Sequence, residues 1–212
     1  MLARDMSKWV WQGERGMLRS FDGNVADANA AARALAEEIA SLQLDEVVDI
    51  VAGARTLLVE LAPGREASSM LLGTIDSEPS RNEARLGTLH TIRVVYDGPD
   101  LDEVARGVRM SSDEVVSLHT SVEYNVAFIG FQPGFPYLLG LPQRLVVPRL
   151  ETPRSRVPAG SVAIADDYTG IYQAATPGGW RLLGHTDVIL FDPTAERPCL
   201  LFPGDRVRFV AA

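Results

Sequence analysis

The chain has 212 residues, of which 46% are hydrophobic and 23% are charged, so its composition is that of a globular rather than a disordered protein. Its 20 basic and 28 acidic side chains leave a net charge of −8, which repels the phosphate groups of nucleic acids and of anionic membranes. This length fits one large or two small domains.

Scarce residue types exclude several kinds of chemistry. Lys8 is the only lysine, which argues against a Schiff-base or phosphate-loop lysine, and Cys199 is the only cysteine, which excludes a disulfide framework. With three histidines and no clustered carboxylates, no metal site is expected. Residues 1–17 lack the apolar stretch of a signal peptide, and no run reaches the roughly 18 apolar residues of a membrane span. A cytoplasmic protein is expected.

The first third of the chain predicts a small α+β domain. Asn24 is a suitable N-cap for a helix whose apolar residues recur every three or four positions up to Leu42. Two β-type runs, Glu46–Val51 and Thr56–Leu61, follow as a hairpin, and Met17–Phe21 predicts a strand before the helix.

The middle of the chain predicts a strand and two short helices. Thr88–Tyr96 is rich in β-branched residues and ends at an Asp-Gly-Pro turn. Asp100 can cap the first helix, and Ser111 with Glu114 has the spacing of a capping box at the start of the second. The second helix is expected to end near His119, where the helix dipole favours the charged imidazole.

From Tyr124 onward, prolines and glycines separate many short apolar runs. This pattern predicts an all-β sandwich or barrel, and the lack of alternating strands and helices argues against a doubly wound sheet. The predicted strands are Val126–Phe131, Leu145–Val147, Ser161–Ile164, Arg181–Leu183, Val188–Phe191 and Arg206–Val210.

The densest candidate for chemistry is the loop Gly130–Tyr137, which reads GFQPGFPY. Pro133 fixes φ and Gly134 permits positive φ, so the loop is rigid and lets backbone N–H groups approach a ligand. Phe135 and Tyr137 project from it as a candidate ligand platform. The alternative is a buried turn that is packed by its own phenylalanines.

Three arginines, Arg149, Arg154 and Arg156, lie close together in this acidic chain. A guanidinium group binds phosphate or carboxylate through two parallel hydrogen bonds and keeps its charge. One interpretation is therefore an anion site. The alternative is a solvated face, or pairing with the neighbouring acids Glu151, Asp166 and Asp167.

A third cluster is centred on Trp180, which follows Gly178 and Gly179. The paired glycines allow a tight turn that sets the indole against a pocket floor, although core packing explains a tryptophan equally well. Tyr172 precedes this cluster and His185 follows it. His185 can act as an acid, a base or an anion donor, or it can be a hydrogen-bonded structural residue.

In order and spacing, these motifs closely resemble the family that includes the 5-oxoprolinase B subunit, the kinase inhibitor KipI and allophanate hydrolase subunit 1. The resemblance spans about residues 88–192. It rests on YNV at 124–126, GFQPGFPYL at 130–138, PR at 148–149 and 153–154, VPAGSV at 157–162, TGIY at 169–172 and PGGW at 177–180.

The resemblance implies an α+β N-terminal domain, residues 1–87, followed by a mainly β, cyclophilin-like barrel domain, residues 88–212. Members associate with a second carboxyltransferase-type subunit, similar to the 5-oxoprolinase C subunit or to allophanate hydrolase subunit 2, and with a third hydrolase subunit. The 5-oxoprolinase assembly uses ATP to open 5-oxoproline to glutamate. One component of such a hydrolase, inactive alone, is therefore expected, and whether ATP contacts this chain stays open.

Phosphorylating an amide oxygen requires cations and the exclusion of water more than a nucleophile from this chain. Two other functions are considered: an allophanate hydrolase or urea carboxylase component, and a KipI-like inhibitor of a sensor histidine kinase. An exposed apolar patch is expected where a partner docks. The expected catalytic residues are His119, Arg154 and His185. The expected substrate- or anion-binding residues are Arg149, Arg156, Pro133, Gly134, Phe135, Tyr137, Tyr172, Gly178, Gly179 and Trp180.

Overall fold

The computed structural model describes residues 9–76 and 87–212. Contacts divide the chain into two units, Met1–Arg85 and Leu86–Ala212. In the described ranges, no helix is both long enough and apolar enough to cross a bilayer.

The first unit is an antiparallel sheet in the order β1-β2-β4-β3, against which helix α1 (Val25–Ser41) packs. Its strands are β1 (Trp9–Gln12), β2 (Gly16–Ser20), β3 (Val47–Ala52) and β4 (Thr56–Leu61), and a short helix α2 (Ser69–Ile75) follows. Asn24 caps α1 by accepting a hydrogen bond from the Asp27 N–H at 2.9 Å. The predicted helix, hairpin and preceding strand are confirmed, whereas β1 was not predicted.

The second unit is a seven-stranded sheet that nearly closes into a barrel, in the order β12-β9-β10-β7-β6-β13-β5. All neighbours are antiparallel except β13 and β5, and a single bridge between Val95 and His185 joins the two ends of the sheet. The elements are β5 (Leu89–Val94), α3 (Leu101–Gly107), α4 (Ser112–Thr120), β6 (Tyr124–Ile129), β7 (Pro136–Leu139), β8 (Arg154–Val157), β9 (Ser161–Ala165), β10 (Tyr168–Ile171), β11 (Thr176–Gly178), β12 (Arg181–His185) and β13 (Arg206–Ala211).

Strands β8 and β11 form a separate two-stranded ribbon. The main core of the second unit consists of large side chains from the barrel strands, with Tyr124, Phe209 and Ile171 fully buried. The predicted fold, an α+β unit followed by a mainly β, barrel-like unit, is confirmed.

Two of the predicted strands are wrong. In the run Leu145–Val147, a 3-10 turn (Gln143–Leu145) comes first and Val147 makes only an isolated bridge. In the run Val188–Phe191, only Phe191 makes a bridge, although Leu190 is buried in the core. Leu145 and Leu190 are buried although neither run pairs as a strand, because burial alone does not require a ladder.

Candidate functional site

One cavity of about 320 Å³ in the second unit brings together residues from all three sequence clusters. Seven predicted site residues line it: Phe135, Tyr137, Arg149, Tyr172, Gly178, Gly179 and Trp180. Phe131, Pro153 and Pro177 complete the lining, and none of these three was predicted as a site residue. The three motifs, distant along the chain, therefore form one site.

Aromatic rings meeting edge to face build the cavity wall. The Phe135 ring is buried, and its centroid lies 5.2 Å from that of Tyr137, 5.1 Å from that of Tyr172 and 5.5 Å from that of Trp180. These distances are favourable for edge-to-face pairs. Phe131 is 61% exposed at the rim and has a φ of 66°, a left-handed conformation that is uncommon for a side chain of this size. The loop thus contributes both a buried floor and an exposed rim.

Two glycines let the rings approach the backbone. A Cβ atom on Gly178 would lie 2.5 Å from the Tyr172 hydroxyl, and one on Gly170 would lie 3.0 Å from Cζ3 of Trp180. The backbone N–H of Trp180 donates a hydrogen bond to the Tyr172 hydroxyl, while burial raises the pKa of Tyr172. Burial thus favours the protonated form of the Tyr172 hydroxyl.

Arg149 is the exposed cation of the cavity. Within residues 9–76 and 87–212, no carboxylate forms an ion pair with it. Burial raises the pKa of Tyr137, and the positive charge of Arg149 opposes this rise. Arg149 thus brings an uncompensated positive charge to a wall that is otherwise mostly aromatic.

Arg154 forms a structural ion pair with Asp100. Its Nη2 lies 2.5 Å from Oδ1 of Asp100, whose side chain is only 4% exposed, and Oδ2 of Asp100 accepts the Leu182 N–H at 2.7 Å. Asp100 therefore makes no side-chain cap for α3, contrary to the prediction. The carboxylate that neutralises Arg154 is not one of the three neighbouring acids that the sequence suggested.

Four other predicted site residues lie outside the lining of the cavity. Arg156 is exposed on β8, and Pro133 and Gly134 belong to the loop between β6 and β7. His185 is exposed at the end of β12 away from the cavity, and its Nδ1 lies 2.8 Å from Oδ1 of Asp97. The structure does not bring these side chains to the pocket.

His119 is completely buried and neutral. Its Nε2 lies 2.9 Å from the Thr169 hydroxyl, which donates its only proton to the Ala163 carbonyl, so Nε2 carries the imidazole proton. Nδ1 accepts from the Tyr96 hydroxyl at 2.7 Å, and burial lowers the pKa of His119 to about 3. The prediction of a charged imidazole at the end of the helix is wrong because desolvation outweighs the helix dipole, and His119 does not line the cavity.

The neutral His119 makes stability depend on pH. Its pKa is about 3 in the folded chain against an ordinary 6.5. The contribution of His119 to the free energy of unfolding is therefore complete above pH 6.5 and is lost as pH falls toward 3. Between pH 8 and pH 5 the free energy of unfolding is expected to fall by about 2 kcal/mol from this group. Urea unfolding at both pH values measures the loss. His119→Gln is expected to remove it, and His185→Gln to retain it; an unchanged loss in His119→Gln would contradict the assignment.

Comparisons of the sequence and of the structure with known proteins agree with one another. Residues 7–201 match the model of the carboxyltransferase domain, subdomain C and D. The chain is 45% identical over 177 residues to the 5-oxoprolinase B subunit of Escherichia coli O157:H7, and the match covers 80% of each chain. The crystal structure of TTHA0988 superposes with a TM-score of 0.83 at 41% identity, covering 93% of this chain but only 40% of that one.

A more distant likeness concerns the fold alone. The urea amidolyase of K. lactis superposes with a TM-score of 0.75 at 20% identity, and the match covers 100% of this chain and 15% of that chain. The same architecture therefore also occurs as a small part of a much larger enzyme.

Proposed function

The chain belongs to the family of the carboxyltransferase domain, subdomain C and D, as its motifs predict, and from this membership we propose that it is one component of an ATP-dependent 5-oxoprolinase. The observation that carries the proposal is the 45% identity to a 5-oxoprolinase B subunit over 80% of both chains. The reaction opens the cyclic amide of 5-oxoproline to glutamate, in a cytoplasmic assembly with a second carboxyltransferase-type subunit and a third subunit.

The cavity suits a small cyclic amide that carries a carboxylate. The aromatic wall formed by Phe135, Tyr172 and Trp180 packs against the apolar faces of the ring, and Arg149 pairs with the carboxylate. The walls also displace water, which strengthens each polar contact inside. These residues bind and orient the substrate.

The amide carbonyl resists attack because resonance stabilises it, and ATP supplies the phosphoryl group that activates its oxygen. In this chain, we assign Tyr172 to orienting the substrate. Its hydroxyl accepts the backbone N–H of Trp180, and its O–H donates a hydrogen bond to the substrate that holds the amide in position for phosphoryl transfer.

ATP is assigned to the partner side of the site. A triphosphate requires several cationic or N–H donors, whereas Arg149 is the one arginine that lines the cavity within the described ranges. Arg154 is compensated by Asp100 and does not add a second free charge. The partner subunit then supplies the remaining cations and closes the cavity.

Two other functions receive less support. A KipI-like kinase inhibitor does not need Arg149 and the PGGW motif to line one cavity, yet both do. An allophanate hydrolase or urea carboxylase component would use a smaller substrate without a ring, for which the aromatic wall offers less contact.

The test is reconstitution with the partner subunits. We expect ATP-dependent release of glutamate from 5-oxoproline by the complete mixture, and none when this chain or ATP is omitted. Parallel reactions with urea and with allophanate measure ammonia. Release from those substrates alone would assign the chain to the urea pathway, and no turnover of any substrate by a formed complex would contradict the enzyme-subunit proposal.

A further inference from the structure

Strand β5 has one long side that no other strand covers within the described ranges. The carbonyls of Thr88 and Val94 accept hydrogen bonds from β13 and the residue after it, at 2.8 Å and 2.9 Å respectively. Successive residues of a strand direct their N–H and C=O groups to opposite sides. The even-numbered residues of β5 therefore face β13, and the odd-numbered residues face away from it.

The outer side of β5 is paired at one point only in the described part of the chain. Val95 exchanges two hydrogen bonds of 2.9 Å with His185, and these close the barrel. Below this bridge, Leu89, Thr91 and Arg93 direct their N–H and C=O groups to a side where residues 9–76 and 87–212 place no pairing strand. We call these three residues the β5 edge.

The surface around the β5 edge is exposed and carries several large apolar side chains among polar ones. Leu89 is 36% exposed, Val95 44% and Ile189 73%. A cavity of about 610 Å³ begins beside the strand, where Ile189, Leu200 and Phe202 contribute apolar walls and His90 lies at the strand. An uncovered strand edge is a site for pairing with another chain, and the β5 edge carries one charged side chain, Arg93, but no proline and no bulge.

The β5 edge presents three backbone N–H and three C=O groups in a row. These groups favour binding of an extended chain, because only a strand presents complementary groups at the same spacing. We propose that an extended apolar segment of the partner subunit adds to the β5 edge as a further strand and places a side chain in the neighbouring cavity. Arg93, which has no ion pair in the described part of the chain, favours an acidic residue in that segment. The existence of a partner rests on the proposed function.

A second copy of this chain fits the edge less well. Pairing two β5 edges would bury one short strand on each side, well below the roughly 1,000 Å² of a stable interface. A partner segment that continues into the cavity adds apolar contact area that the self-pairing of two strands does not reach. The cavity therefore favours a different polypeptide.

Hydrogen exchange of backbone amides tests the proposal residue by residue. In the isolated chain, the amides of Leu89, Thr91 and Arg93 are expected to exchange freely, while those of His90 and Ile92 are protected by β13. In the complex with the partner subunits, the three edge amides are expected to slow by about 100-fold or more. NMR of the isotope-labelled chain, recorded after the exchanged complex is dissociated, reads each amide separately.

A matched pair of variants tests the same contact. Thr91→Pro removes only the outward N–H, a change that an edge strand tolerates, whereas Thr91→Val keeps that N–H and a β-branched side chain. We expect Thr91→Pro to bind the partner subunits at least roughly 10-fold more weakly and Thr91→Val to bind them normally. Near-ultraviolet circular dichroism verifies that both variants fold.

The outcomes separate this proposal from the proposed function. An active complex in which the edge amides still exchange freely would overturn strand addition and leave the 5-oxoprolinase assignment intact. Failure of any complex to form would overturn both. Protection that appears in the isolated chain as its concentration rises would assign the edge to a second copy, against the proposal.

Discussion

Arg149→Met is expected to lower kcat/KM for 5-oxoproline by about 100-fold in the assembled enzyme, because a charged hydrogen bond is worth up to about 3 kcal/mol. The loss is expected in KM rather than in kcat, since the substrate carboxylate is equally charged before and during the reaction. Arg149 is exposed and has no ion pair within the described ranges, so the stability of the chain should not change. Steady-state kinetics of the reconstituted complex measures both constants.

Two further arginine variants serve as a control and as a test of the role given to Arg154. Arg144→Met is the neutral control, because Arg144 is exposed and outside the cavity lining. Arg154→Met leaves the buried Asp100 without its cation, so it is expected to cost about 2 kcal/mol of folding free energy. If Arg154→Met lowered activity at unchanged stability while Arg149→Met had no effect, the roles given to the two arginines would be reversed.

Local signals in the sequence were the most accurate predictors of the fold. The capping box of α4 is present as predicted, since the Glu114 carboxylate accepts the Ser111 N–H at 2.7 Å. The Asn24 cap and the apolar stripe of α1 are also confirmed. These features involve residues only three or four positions apart, so no knowledge of the tertiary fold is needed to predict them.

Strands with weak local patterns were missed. Strand β7 begins at Pro136, which is tolerated because a proline at the first position removes no necessary donor. Strand β8 contains Arg154 and Arg156 and reads as a polar loop, yet it pairs with β11. Their pairing partners lie elsewhere in the chain, and only the assembled sheet makes these segments into strands.

The candidate site was predictable in its residues but not in their roles. The motifs identified most of the cavity lining, because rigid Pro-Gly turns with aromatic rings are distinctive in a sequence. The ion-pair partner of each arginine was not predictable, since Arg154 pairs with Asp100, which lies 54 positions away. His119 shows the same limit, because burial by distant strands determines its protonation.

Closure of the barrel depends on Gly184, at which no larger residue fits. A Cβ atom there would lie 2.2 Å from the Val95 carbonyl oxygen and 2.9 Å from Cα of Tyr96. Both contacts are with backbone atoms, so a side chain at this position forces the two chain segments apart. Gly184→Ala is therefore expected to cost more than about 3 kcal/mol of folding free energy.

This loss would extend to the cavity that the proposed function requires and to the β5 edge. Strand β12 begins directly after Trp180 and anchors Asp100 through the Leu182 N–H, while the bridge beside Gly184 holds the end of β5. Urea unfolding followed by near-ultraviolet circular dichroism measures the change. Gly107→Ala is the matched control, because a Cβ atom there meets nothing within 4 Å, and its stability should stay within about 1 kcal/mol of the original chain. Equal unfolding midpoints for the two variants would show that closure tolerates a side chain at Gly184.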